Sequence, residues 1–252
     1  MKDTVTNQIE DFLRSNPNNF QIVEEQVDID LQFEYFNLSK KERYSATSDD
    51  VLNKSHLLFD PSTTDEEAKR LLVQLAAIDS VEALRTIERY ADVATGTLYS
   101  WAYLAKKESR LIVESSLLDE KQILISTGLG GRGTLLRYFV VLISREGNEF
   151  SESQKKIINN EFDFILSKNQ SVVEKITFES KYSQIISLIP LNVSIKNTLK
   201  SAVEECNNYG DFLEQNFLVT NVKILSLEEI EQFLNDTVAP ENESVESEES
   251  DE

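Results

Sequence analysis

The stretch Gly128-Leu129-Gly130-Gly131-Arg132-Gly133 has the residue types to cradle a phosphate. Its spacing matches G-x-G-x-x-G, in which bare backbone lets N–H groups approach an anion closely. That chemistry works best when a helix follows, because the helix N-terminus brings unpaired N–H groups and partial positive charge. Here Leu135 to Ile143 follows, apolar except for Arg137 and rich in aromatic and β-branched residues. Such a run predicts a strand, which removes the helix from the argument. The same glycines suit a hairpin turn that needs positive φ. Arg132 at the tip of that turn is then placed to touch an anion or a partner.

Strand, glycine loop and strand together resemble the phosphate-covering loop of protein kinases. The likeness covers six residues. No V-A-I-K follows, D-F-G is absent, and H-R-D cannot occur because His56 is the only histidine.

Other reactive groups are sparse. Cys206 is the single cysteine, so neither an intramolecular disulfide nor a multi-cysteine metal site can form. It follows Glu204 and Glu205, and acidic neighbours raise a thiol pKa, which points to a structural role. One histidine cannot build a histidine-rich metal site, and His56 reads as structural. Asp28, Asp30 and Glu34 alternate with apolar residues, which suggests a carboxylate row, but EF-hand spacing is missing and a solvated face is expected. The chain has no G-K-[ST], G-x-S-x-G, H-E-x-x-H or C-x-x-C. A carboxylate-only glycosidase is compatible with 45 acidic residues, but a single tryptophan makes a sugar platform unattractive. No catalytic, cofactor-binding or metal-ligating residue is assigned, and no cofactor is expected.

The charge is more informative. The chain has 252 residues, and its formal net charge is −20. Seven of the acidic residues lie in Pro240–Glu252, which has no Lys or Arg, so the rest still carries −13. Nucleic acid and anionic membranes should repel such a chain, and a basic protein partner is favoured. The N-terminus lacks the basic and apolar regions of a signal peptide. The longest apolar run, Tyr138 to Ile143, is far short of the ~20 residues of a membrane span. No membrane insertion and a cytoplasmic location are the expectation.

Periodicity and caps set the expected secondary structure around these residues. A helix is expected over 3–14, then a turn at Asn16–Asn19. Val27, Ile29, Leu31, Phe33 and Tyr35 alternate with polar residues and predict an amphipathic strand. Residues 38–62 look irregular, with a short helix near Ser48–Asn53. Thr64 and Glu67 form a capping-box pattern ahead of a helix over Asp65–Ala77. Further helices are expected over Val81–Ala91 and from Val93 to Leu117. Lys121–Arg145 reads as strand, glycine turn and strand, the central hairpin of a sheet. Beyond it come a helix capped by Ser151 and Gln154, strands over Ser171–Phe178 and Tyr182–Leu191, and a helix from Ser194 to Asn208. A strand over Phe217–Leu225 and a helix over Leu227–Asn235 complete the order β-β-α-β-β-α-β-α. The composition of 236–252 predicts disorder. The fold class is therefore α+β. The expected parts are 1–62, with the N-terminal helix, strand and irregular segment; a helical region over 63–119; an α+β domain over 120–235, with a mixed or antiparallel sheet; and the acidic tail.

Within the helical region, L-x-x-L-A, a small acidic turn, E-A-L and Asp92 before the next helix resemble a HEAT-type repeat. The likeness spans about one and a half repeats within 64–118. It implies stacked antiparallel helices and a protein-binding surface. An ordinary three-helix bundle suits the same residues, and stable solenoids generally need three or more repeats.

These observations lead to a non-enzymatic interaction protein, an adaptor or an acidic chaperone or assembly factor for a basic partner. An immunity or antitoxin protein covering a cationic toxin is an alternative. A nucleotide-dependent enzyme using Gly128–Gly133 is another. Arginine and aromatic side chains are favoured at hot spots. The candidate interface is therefore Gly130, Gly131 and Arg132 in the turn, with Trp101 and Tyr103 if the core does not claim them; Trp101 also fits the core face of its helix.

Overall fold

The computed structural model describes residues 19–120 and 122–238. The helix expected over 3–14 and the acidic segment beyond Val238 lie outside the described residues. The chain is α+β, as its pattern predicts.

The first strand, β1 (Phe20–Ile22), pairs in parallel with β2 (Ile123–Ile125). Between them lie five helices: α1 (Ile29–Glu42), α2 (Ser48–Lys54), α3 (Asp65–Ala76), α4 (Val81–Ala91) and α5 (Gly96–Leu118). A 3₁₀ turn, Ser55–Phe59, follows α2. The capping box of Thr64 and Glu67 is present at α3, and Ser80 caps α4. Helices α3, α4 and α5 each pack on the other two, and α1 packs on α3 and α5. Their shared core holds Tyr35, Leu72, Leu75, Ile87, Trp101 and Leu104. The helical faces are thus buried within the chain, as so short a repeat-like match requires.

The strand expected over Val27–Tyr35 is a helix instead. Alternation and helical spacing coincide over short runs, and the cap decides between them. The Asp28 carboxylate accepts from the N–H groups of Asp30 and Leu31, which sets the first turn of α1. The inward residues are Gln32, Tyr35, Ser39 and Glu42, a helical spacing. Three of those four are polar, so a hydrophobic pattern cannot reveal the face. Phe33, placed inward by the strand reading, is 62% exposed. Asp28→Ala should therefore cost about 1 kcal/mol, within the usual range for an N-cap. Thermal melts of the variant would check this, and no change would count against the cap.

The C-terminal half contains β3 (Gly131–Arg132), β4 (Leu135–Ile143), α6 (Glu152–Lys168), β5 (Val172–Glu179), β6 (Tyr182–Pro190), α7 (Ile195–Asn207), β7 (Leu218–Thr220) and α8 (Leu227–Val238). Strands β7, β4, β6 and β5 lie side by side in that order, and every pairing is antiparallel. From β4 to β7 this is the β-α-β-β-α-β order of the split βαβ, or ferredoxin-like, topology. Val140, Leu142 and Ile185 pack against Ile158 and Phe162 of α6 and Leu199, Val203 and Cys206 of α7. The opposite sheet face presents Phe139, Val141 and Tyr182 to Leu129, Leu225 and Ile230. The expected order β-β-α-β-β-α-β-α survives, with one correction. The segment read as the first arm of the central hairpin, Ile123–Ile125, belongs to the small parallel sheet. The hairpin proper is β3 and β4 joined by Gly133 and Thr134, with Arg132 opposite Leu135. Gly133 has φ +60, at the turn position that glycine favours in a type II′ hairpin.

Candidate functional site

Residues 23–27 run as a strap between the helical layer and the glycine segment. On one side, the Tyr103 hydroxyl accepts from the N–H groups of Glu24 and Glu25, both at 3.1 Å. On the other, the Glu24 carbonyl accepts from Gly131 N–H at 3.1 Å. Gln32 adds a second tie, donating to the carbonyls of Val27 at 2.8 Å and Thr127 at 3.1 Å.

This close approach explains the glycines. A Cβ on Gly130 would sit 2.4 Å from the Glu24 carbonyl oxygen, and one on Gly128 would sit 1.7 Å from that of Val222. Gly131 meets the Leu135 carbonyl at 2.2 Å in the same way. Four of the backbone donors that a phosphate would need, those of Leu129, Gly130, Gly131 and Gly133, are already engaged. Leu129 N–H donates to Asn221, Gly130 N–H to Thr127 and Gly131 N–H to Glu24. Gly133 N–H donates to the Glu24 carboxylate at 2.9 Å. A carboxylate of the chain thus stands where an anionic ligand would have to be.

Charged side chains surround the hairpin tip. Arg137 forms a bidentate pair with Glu174, at 2.5 and 3.2 Å, and also donates to the Leu129 carbonyl at 2.8 Å. Its guanidinium holds the Glu174 carboxyl below the usual range. Arg132 reaches the same carboxylate only at 3.9 Å, and its side chain is 60% exposed. Lys107 lies 3.8 Å from Glu24.

The five candidate interface residues separate here. Arg132 is exposed at the tip with only the long contact to Glu174, while Gly130 and Gly131 are buried in the strap junction. Tyr103 joins that junction from below but is only 4% exposed. Trp101 is not part of it. It is 0% exposed, packed edge-on against Tyr35 with Lys69 Nζ 5.0 Å from its ring centroid. Both aromatic residues serve the core, so the interface candidate reduces to Arg132 and its neighbours.

Cys206 is fully buried between α7 and the sheet. Burial, with Glu161 and Glu205 nearby, pushes its thiol up to about 12. It should not react with a thiol reagent near pH 8 in the native chain and should react fully in concentrated denaturant. Prompt native labelling would overturn its structural role. His56 turns its Nδ1 to the Asn53 carbonyl, a local contact in the 3₁₀ turn. Asp28 caps α1, and Glu34 pairs with Lys69 at 3.0 Å, so the expected carboxylate row is dispersed. Among the described residues, no group of three or more His, Cys, Asp and Glu is arranged to hold a metal ion.

Two features escaped the sequence reading. One is buried Glu108, which accepts from Tyr35 at 2.7 Å, Ser39 at 2.9 Å and Arg43 at 2.7 Å. A glutamate inside a helical run gives no signal until α1 is known to face it. The other is a cleft of ≈ 860 Å³ beside β7. It is lined by Tyr138, by Ile195, Lys196 and Lys200 of α7, and by residues between Gln215 and Asn221 other than Leu218. Its available signal was a pair of lysines four apart near the start of a helix in an acidic chain.

No family model matches this chain, and no curated protein matches it. Among solved structures, it has a likeness to a protein described as a "putative transposase" from Deinococcus radiodurans R1, at 12% identity and a TM-score of 0.35, covering 40% of this chain and 90% of that one. A likeness at this level carries no functional weight. Among the described residues, no helix is long and apolar enough to cross a membrane.

Proposed function

We propose that this protein is a non-enzymatic interaction protein that binds a basic partner protein. The observation that supports it best is the use of the glycine segment. Its close approaches are to backbone of the strap, Leu135 and Val222, and its N–H groups donate to Glu24, Thr127 and Asn221, which disfavours the nucleotide-dependent alternative. What remains is a chain of net charge −20 with seven acidic residues in its last thirteen positions. Such a field speeds association with a cationic surface and weakens with salt.

The test is capture of partners by the tagged chain from its own cell lysate, at low salt and at ~0.5 M salt, where exposed charges are well screened. A chain ending at Val238 and Arg132→Glu run in parallel. The expected result is a stoichiometric basic protein that is lost at high salt and weakened by removing the tail. A partner that survives both but is lost with Arg132→Glu would move the interface to the hairpin tip. Absence of any stoichiometric partner would overturn the reading. If the captured protein is a toxin whose activity the chain blocks, the partner reading narrows to immunity.

A further inference from the structure

The cleft beside β7 has the form of a peptide groove. Strand β7 pairs with β4 on one edge, and among the described residues its other edge has no partner. An open edge of this kind accepts an extended segment through backbone hydrogen bonds, while adjacent pockets choose its side chains. Phe217, Val219 and Ile195 give the groove an apolar wall. Lys196 and Lys200 give it positive charge.

Those lysines are placed against their own helix. They lie one turn apart in the first half of α7, where they repel each other, and Lys196, in the first turn, also opposes the positive helix end. Lys200 has Glu204 at 3.7 Å as a partial counter-charge. A carboxylate lying across both lysines would relieve both conflicts.

We propose that this groove is a peptide-binding site occupied by the acidic segment 239–252 of the same chain, laid beside β7 with its carboxylates on Lys196 and Lys200. Charge complementarity selects the occupant. The segment has seven acidic residues and no basic one, with Val245 among them to meet the apolar wall. Length permits it. Helix α8 ends at Val238, and fourteen extended residues span about 45 Å at roughly 3.3 Å each. A domain of about 100 residues has a radius of gyration of only about 13 Å. The remaining −13 charge repels the segment in general, so retention requires a local basic site. A basic partner would then compete with the groove for the same carboxylates.

A fluorescently labelled synthetic peptide of residues 239–252 tests this by anisotropy at low salt. It is titrated with the full chain, with the chain ending at Val238, and with that shorter chain carrying Lys196→Glu and Lys200→Glu. The shorter chain keeps every described element. The peptide should bind the shorter chain and bind the full chain at least ten-fold more weakly, because the groove is already filled. The charge reversals should also weaken binding at least ten-fold. No binding to the shorter chain, equal binding by the charge-reversed variant, or equal binding by the full chain would overturn the proposal. So would a polyglutamate of the same length that binds as tightly, since the groove would then not select this segment. Zero-length carbodiimide cross-linking of the full chain supplies a readout that needs no variant. Links from Lys196 or Lys200 to acidic residues of 241–252 should form within one chain in mixtures of heavy- and light-isotope protein. Links only between chains would make a second copy the occupant and overturn the assignment, as would their absence. Failure to capture a basic partner leaves this peptide assay unaffected.

Discussion

Gly130→Ala should destabilise the chain by about 3–5 kcal/mol, a large share of the roughly 5–15 kcal/mol that holds a typical domain together. Two effects combine. Gly130 has φ +68, a conformation that costs an L-residue about 1–2 kcal/mol. Its new Cβ would also sit 2.4 Å from the Glu24 carbonyl and 2.6 Å from that of Glu25. Both are backbone atoms, so they cannot rotate away. The strap would have to move, and with it the Gly131–Glu24 and Tyr103–Glu24 hydrogen bonds. Gly133→Ala is the matched control. Its φ is +60, but no atom lies within 4 Å of the added Cβ. It should cost only the conformational part, about 1–2 kcal/mol. Urea unfolding of the two variants reads the difference. Equal losses would mean that the strap yields easily and that Gly130 is not a packing requirement.

Glu108→Ala should cost about 2–4 kcal/mol, because it removes the acceptor of a buried network. The Tyr35 hydroxyl, in a fully buried residue, would lose its 2.7 Å partner. Ser39 would lose its acceptor as well. Arg43 contributes less, since its side chain is 42% exposed and can return to water. Tyr35→Phe combined with Glu108→Ala should lose less than the two single changes added together, because each single change leaves a buried polar group alone. Strict additivity in denaturant titrations would show that the pair is not coupled. The same network predicts an alkaline effect. Burial first, and Glu108 second, raise the Tyr35 pKa well above its ordinary value. The folded state therefore holds the phenol proton more tightly than the unfolded state. This contribution to stability is fully present below about pH 10, the ordinary tyrosine value, and is lost as pH rises from there through the raised pKa. Tyr35→Phe should flatten that part of the stability profile.

Local chemistry made much of the architecture legible. The capping boxes Thr64–Glu67, Ser151–Gln154 and Ser226–Glu229 all form as their spacing predicts, because each needs only its own first turn. The apolar run of β4 and the inward set Ile158, Phe162 and Leu166 of α6 were readable for the same reason. A helix or strand face follows from residues a few positions apart.

The remaining features depend on partners far apart in the chain. The inward face of α1 is polar because Glu108 and the Thr127 carbonyl complete it, and neither can be foreseen from residues 29–42. The same limit hid the pairing of β1 with β2, which are separated by the whole helical layer. It also hid the purpose of the glycines. Their spacing said only that side chains are unwelcome there. That backbone from Glu24 and Val222 fills the space is a long-range fact, and it turns a phosphate motif into a packing junction. Composition determined the charge of this protein, and short-range periodicity determined most of its elements. Which surfaces stayed open was settled by packing, because burial depends on neighbours that sequence order does not reveal.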